Sequence, residues 1–311
     1  MNHPTRRSAL ALSGLAALVL AGCGASGDDP LASSSTSSGE GGAAGSGESV
    51  VVGGADFSES VLLAEIYAAA LSAGGVEASA KTGIGAREVY LKALDEGTID
   101  VFPEYTGALA LYYDDTFSET DPDKTYEALQ GILPDGMSVL EKSQAEDNDS
   151  IVVTRETAES QSLSTLEDLK GTAGEMTLAA PPEFKERPQG IPGLEKTYGI
   201  TFGSYRPLTA GQATVQALKN GQVDAANIFS TDPAIAANDF VVLEDTKKLF
   251  GSQNVVPLVR DDVEDQVSDV LNKVSAKLTT DNIAEMLKAT DIDKKDPKQV
   301  AQTFVEENDL G

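Results

Sequence analysis

Ala93-Leu94-Asp95-Glu96-Gly97-Thr98-Ile99-Asp100 returns later in the chain as Ala217-Leu218-Lys219-Asn220-Gly221-Gln222-Val223-Asp224. Each copy reads as the end of a helix, a glycine that stops it and the start of a buried strand. Five residues beyond each aspartate stands an aromatic, Tyr105 after Asp100 and Phe229 after Asp224. Helix-glycine-strand units are common and four fixed positions can recur by chance, but the equal aromatic offsets point to two similar lobes. Open α/β sheets bind ligands at loops beyond the carboxyl ends of their strands, so the two rings are expected to face each other across a cleft.

Working outward from the first copy, residues 49–53 (SVVVG) form a short apolar run bounded by glycine, which predicts a buried strand. Ser58 is a candidate N-cap, and Leu62, Leu63, Ile66, Tyr67, Ala70 and Leu71 recur at helical spacing until Gly74-Gly75. A strand over 76–81, a helix over 87–96 and a strand over 99–102 complete a β-α-β-α-β order. That order implies a mainly parallel sheet flanked by helices. Around the second copy, strands are expected at 151–154, 176–179, 223–228 and 240–243. The C-terminus reads as helices over 263–277, 280–288 and 297–308. The fold class is α/β.

Of the 311 residues, 50 are Asp or Glu and 23 are Lys or Arg, a formal net charge of −27. Such a surface repels phosphate backbones, so nucleic acid is excluded as a partner. The single His is His3 and the single Cys is Cys23. Everything beyond them lacks an imidazole and a thiol, which removes Ser-His-Asp and Cys-His catalysis, structural zinc, thiol redox and disulfides. Hydrolysis by paired carboxylates is the enzymatic alternative that composition leaves open, as an extracellular carboxylate-dependent hydrolase.

Arg6-Arg7, an uncharged apolar run from Ala9 to Ala21, and Leu20-Ala21-Gly22-Cys23 resemble a bacterial lipoprotein signal with its lipobox. Residues 1–22 are then a removed signal and Cys23 the lipidation site, an uncleaved membrane anchor being the alternative. Thr5-Arg6-Arg7 also loosely matches a twin-arginine signal, although adjacent arginines are common in ordinary ones. From residue 24 to 47 the chain is nearly all Gly, Ser, Ala and acidic residues, a composition suited to a tether, so 23–48 is expected to join lipid to domain. Such a protein would be extracytoplasmic and lipid-anchored to the cell membrane.

Four further stretches carry a family resemblance: Gly53-Gly54-Ala55-Asp56-Phe57-Ser58-Glu59, the run from Ile99 through Pro103-Glu104-Tyr105-Thr106-Gly107, the run from Pro182 through Arg187-Pro188-Gln189-Gly190, and Phe229-Ser230-Thr231-Asp232. In this order, across nearly the whole domain, they resemble the osmoprotectant (glycine betaine, choline, proline betaine) substrate-binding proteins of ABC importers. The resemblance implies a two-lobed type II periplasmic-binding-protein fold, with lobe 1 over 49–146 plus 252–311 and lobe 2 over 147–251. It implies a solute receptor, not an enzyme, working with a permease and its ATPase subunit, and needing no cofactor, metal or catalytic residue.

The resemblance also implies a pocket in which ring faces hold a quaternary ammonium, a cation that cannot donate hydrogen bonds. Tyr105 matches a cage tyrosine, and Phe229 stands where another tyrosine is usual. Asp149 (or its neighbour Ser150) and Gln253 fall where further aromatics are expected. Arg187 matches the arginine that grips a ligand carboxylate, whereas Ala55 and Ala108 replace a lysine and a threonine found in some members. Phe57, Ser58, Thr106, Asp147, Ser230 and Thr231 complete the candidate ligand-binding set. The pocket is therefore expected to be more polar than a betaine cage and to take a solute of the betaine and choline class or a more polar relative.

Overall fold

Ten strands build two five-stranded sheets in a computed structural model that describes residues 49–310. The expected signal, lipid site and tether lie outside the described residues. In chain order the strands are β1 (Val50–Gly53), β2 (Ala78–Lys81), β3 (Val101–Tyr105), β4 (Met137–Val139), β5 (Ile151–Thr154), β6 (Thr177–Ala180), β7 (Ser204–Pro207), β8 (Ala225–Asn227), β9 (Phe240–Val242) and β10 (Val255–Arg260). The first sheet runs β2-β1-β3-β10-β4 and the second β7-β6-β8-β5-β9. The orders are equivalent, with β1, β2, β3, β4 and β10 taking the places of β6, β7, β8, β9 and β5. In each sheet one strand, β10 or β5, is antiparallel to both its neighbours, and the other four share a direction. That reversed strand is the one the chain enters immediately after crossing from the other sheet.

The sequence repeat has a structural cause. Asp100 Oδ2 accepts a hydrogen bond from the Val51 N–H at 2.8 Å, and Asp224 Oδ2 accepts from the Thr177 N–H at 2.8 Å. Each aspartate thus ties the start of its sheet's central strand to the neighbouring parallel strand, β3 to β1 and β8 to β6. The preceding glycines share a left-handed backbone, with φ of 66° at Gly97 and 64° at Gly221, a conformation that costs any residue with a Cβ.

Helix α1 (Ser58–Ala73) buries Leu62, Leu63, Ile66, Tyr67 and Leu71 completely because it lies between the first sheet and the C-terminal helices Glu264–Ser275 and Pro297–Glu307. Covered on several sides, it is apolar nearly all round. Burial of each of these large side chains contributes roughly 1.5–3 kcal/mol. Helix α2 (Arg87–Asp95) closes the other face of the sheet, and α3 (Thr106–Tyr113) starts directly where β3 ends.

Several expected boundaries move. The strand expected over 99–102 instead covers Val101–Tyr105, so Tyr105 is the last residue of a buried strand and not part of a loop. Ser58 is not the N-cap of α1; that position is Phe57, whose side chain makes no capping bond. Strands β4, β7 and β10 and helix α3 had no counterpart in the sequence reading. The two crossings run side by side: Glu146 pairs with Asn254, and the Asp147 N–H donates to the Gln253 carbonyl at 3.1 Å. No helix among the described residues is long and apolar enough to cross a membrane.

Candidate functional site

Between the two sheets, where the carboxyl ends of β1, β3, β6 and β8 converge, lies a cavity of about 230 Å³. Phe57, from the turn after β1, packs on Phe229 with ring centroids 5.2 Å apart and on Tyr105 at 6.5 Å. The two rings of the repeat therefore do not meet directly; Phe57 stands between them, and the three form one apolar wall. Phe57, Tyr105, Asp147, Asp149, Arg187, Phe229 and Gln253 from the expected set all line the cavity.

The remaining four expected residues do not line it. Thr106 is buried and accepts from the Asn254 N–H at 3.2 Å, joining α3 to the second crossing. Gly107 follows because its N–H donates to the Ser252 carbonyl at 3.1 Å and a Cβ there would strike that oxygen. Ser230 Oγ donates to Asp147 Oδ1 at 3.2 Å, and Thr231 Oγ1 donates to Glu59 Oε2 at 2.5 Å. Ser58 is half-buried at the start of α1.

Beside the rings sits a buried carboxyl that ends the first of the quoted motifs but is not among the expected site residues. Glu59, in the first turn of α1, takes the Tyr105 hydroxyl on Oε1 at 2.7 Å and Thr231 on Oε2, so one carboxyl joins the two halves of the cleft. Burial raises its pKa to about 7, against the lowering effect of both hydroxyls, and Asp232 adds to the rise. Asp147 is likewise pushed well above the usual carboxylate range by burial and then by Glu59. Burial also raises Asp149, whose Oδ1 accepts from Asn227 Nδ2 at 2.9 Å.

The cavity lining also carries basic and hydrogen-bonding groups. Arg187 lies 3.8 Å from Glu88 and 3.9 Å from Glu183, beyond hydrogen-bond length. Its side chain is one-quarter exposed. Gln253 is held on both sides, accepting from the Ala108 N–H at 2.9 Å and donating to the Phe250 carbonyl at 2.7 Å. Arg87, Tyr90, Asn227, Glu183 and Gln189 also line the cavity and were absent from the sequence-based set. Ala86-Arg87 at a helix start after Gly83-Ile84-Gly85 was the available signal for Arg87.

Residues 48–307 match the family model described as the substrate binding domain of an ABC-type glycine betaine transport system. The chain is 28% identical over 274 residues to the glycine betaine-binding protein YehZ of Escherichia coli, covering 83% of this chain and 90% of that one. It is 26% identical over 278 residues to a glycine-betaine-binding protein of Pseudomonas aeruginosa, covering 85% and 89%. A crystal structure described as a glycine betaine/carnitine/choline ABC transporter shares the fold with a TM-score of 0.67 at 24% identity, covering 84% of this chain and 99% of that one. The chain belongs to the family of substrate-binding domains of ABC-type glycine betaine transport systems, and its role is to capture a small solute outside the cytoplasm for the permease of such a system.

Proposed function

We propose that the captured solute is a quaternary ammonium compound of the glycine betaine and choline class or a more polar relative. The observation that carries this reading is the wall of three rings, Phe57, Tyr105 and Phe229, with Asp147 and Asp149 lining the same cavity. Ring faces attract a methylated cation by about 2 kcal/mol when water is excluded. The YehZ relative and the Pseudomonas relative, both described as glycine betaine-binding, support the same class. Asp149 and Gln253, where further rings stand in the resembled pocket, suit a solute that also donates hydrogen bonds.

Capture proceeds by hinge closure of residues 49–146 plus 252–311 against 147–251 about the paired crossings. Two contacts join these halves across the cleft, Phe57 on Phe229 and Glu59 to Thr231, and support this reading. A lipid on Cys23 after removal of residues 1–22 would hold the domain to the membrane through 23–48, beside a permease driven by an ATPase subunit.

A melting-temperature screen against betaines, choline, carnitine, amino acids and polyols tests this reading. A rise restricted to quaternary ammonium compounds is expected, since binding to the folded form alone stabilises it. A rise with polyols or amino acids and none with quaternary ammonium compounds would contradict it. The hydrolase alternative has no support from the relatives; product release from a glycoside would revive it.

A further inference from the structure

One buried side chain depends on both halves of the cleft for its partners. Glu59 is 3% exposed. Its Oε1 takes the Tyr105 hydroxyl, from residues 49–146, and its Oε2 takes the Thr231 hydroxyl, from residues 147–251. Both donors are neutral. Glu59 does not line the ligand cavity, so it answers to the relative position of the halves and not to the solute itself.

The groups around this carboxyl are acidic or neutral. On β3 it meets Tyr105, which Glu104 also flanks. Asp147 interacts with it from the first crossing, and Asp232 from the position after Thr231, with Asp291 acting on Asp232 in turn. The nearby cations are engaged elsewhere. Arg87 is paired with Glu104, and both Arg87 and Arg187 act on Asp149. At the start of the C-terminal helix Pro297–Glu307, Lys298 and Asp296 act on Glu65, further along α1. No lysine or arginine among the described residues therefore offsets a charge on Glu59, and its contact with Thr231 favours the protonated acid.

We propose that closure of the cleft over its solute takes up a proton on Glu59, which makes this carboxyl a latch between the halves that acid strengthens. The inference rests on the hinge-closure reading and adds a proton as a second captured ligand. In the open cleft Thr231 has moved away, Tyr105 has stayed, and water reaches the freed oxygen. Burial is what holds the carboxyl near 7 in this structure, and a wetted group returns toward its ordinary 4.5. The closed form thus binds the proton more tightly than the open one. Solute affinity is then highest below 4.5, falls as pH rises toward about 7 and levels off above. Reciprocally, the solute raises the proton affinity of Glu59 by the same factor.

Titration calorimetry of the whole protein with glycine betaine and with choline, in buffers of different ionisation enthalpy, counts the protons taken up. Near pH 6 the wild type is expected to take up about 0.9 proton per solute more than Glu59→Gln, which keeps both hydrogen bonds and cannot titrate. Between pH 5 and 7 the wild type is expected to lose affinity about tenfold more than the variant does. Asp149, which lines the cavity, titrates in both proteins and drops out of the difference. A merely structural role for Glu59 would weaken the variant by one factor at every pH. Should Glu59→Gln not fold, Asp147→Asn and Asp149→Asn remove the other buried carboxyls one at a time, and the uptake is expected to persist in each; its loss in either overturns the latch. Equal uptake in wild type and Glu59→Gln, or parallel affinity profiles, also overturns it, and a compaction on binding in small-angle scattering would leave hinge closure standing. Binding without compaction overturns closure and the latch together. A protein that binds neither compound overturns the quaternary ammonium reading and the latch with it.

Discussion

The two sheets share a strand order and a third-strand aspartate that makes the same 2.8 Å bond, yet their cleft faces have little in common. In the first, the aromatic after the aspartate is Tyr105, anchored through its hydroxyl to Glu59 and through its N–H to Glu104. In the second it is Phe229, half-buried and without a polar anchor, surrounded by Asp147, Asp149, Asn227 and Arg187. The repeated residues set the frame, and the chemistry comes from positions that differ. One half presents a ring locked by buried carboxyls, and the other brings ionisable groups to it.

This asymmetry is most sharply tested at the paired aromatics. Tyr105→Ala removes a ring that is 9% exposed and leaves Glu59 with one hydroxyl fewer. It is expected to destabilise the domain by about 3–5 kcal/mol and to lower solute affinity at least about a hundredfold, by more than the ring–cation attraction alone. Phe229→Ala is expected to cost about tenfold in affinity and less stability. Equal effects of the two in urea denaturation and calorimetry would break the comparison.

The anchoring carboxyl gives the next largest effect, and its sign is fixed. Glu59 has a pKa of about 7 in the folded protein against an ordinary value of 4.5, so folding is favoured by its bound proton. That contribution is fully present below 4.5, is lost as pH rises toward about 7, and is absent above. Asp147, Asp149 and Asp232 are also raised and act in the same direction. Glu59→Gln keeps an acceptor for Tyr105 and a donor for Thr231 without an ionisable group. Its melting temperature is therefore expected to gain on wild type as pH rises from 4.5 to 7. Parallel curves across that range would show that Glu59 is charged when buried.

The shared frame predicts near-equal but distinguishable losses. Asp100→Ala and Asp224→Ala each leave a strand N–H without its partner and are expected to cost about 1–3 kcal/mol in urea unfolding. Asp100 is expected to cost more, because Arg260 Nη1 also loses its contact at 3.3 Å. Smallest are Gly97→Ala and Gly221→Ala, each about 1 kcal/mol from the left-handed backbone. Gly97 is again the more sensitive, since a Cβ there meets the Arg260 guanidinium whereas Gly221 faces open space.

The repeat, the α/β class and the helices α1 and α2 were legible because each rests on local patterns: apolar spacing, a stopping glycine and a strand-initiating aspartate. Strand β10 (VVPLVR) and the end of β3 beyond Phe102 are not legible in the sequence, because each carries a proline. Proline lacks the N–H that a central strand needs, and here Pro257 lies directly opposite Pro103 in adjacent strands. Two such residues facing each other leave the ladder intact, a compensation visible only once the strands are paired. In the cleft, the motif residues Phe57, Tyr105, Arg187 and Phe229 were readable from resemblance. Thr106, Ser230 and Thr231 belong to the same motifs but turn away to hold the crossings and the buried acids. Arg87 and Glu59 escaped because their burial and partners, Glu104 and Thr231, lie far along the chain.

Small-angle scattering of the protein, free and saturated with the quaternary ammonium compound that raises its melting temperature most, tests capture by closure most directly. A smaller radius of gyration is expected on saturation. Superimposable free and saturated curves would contradict it.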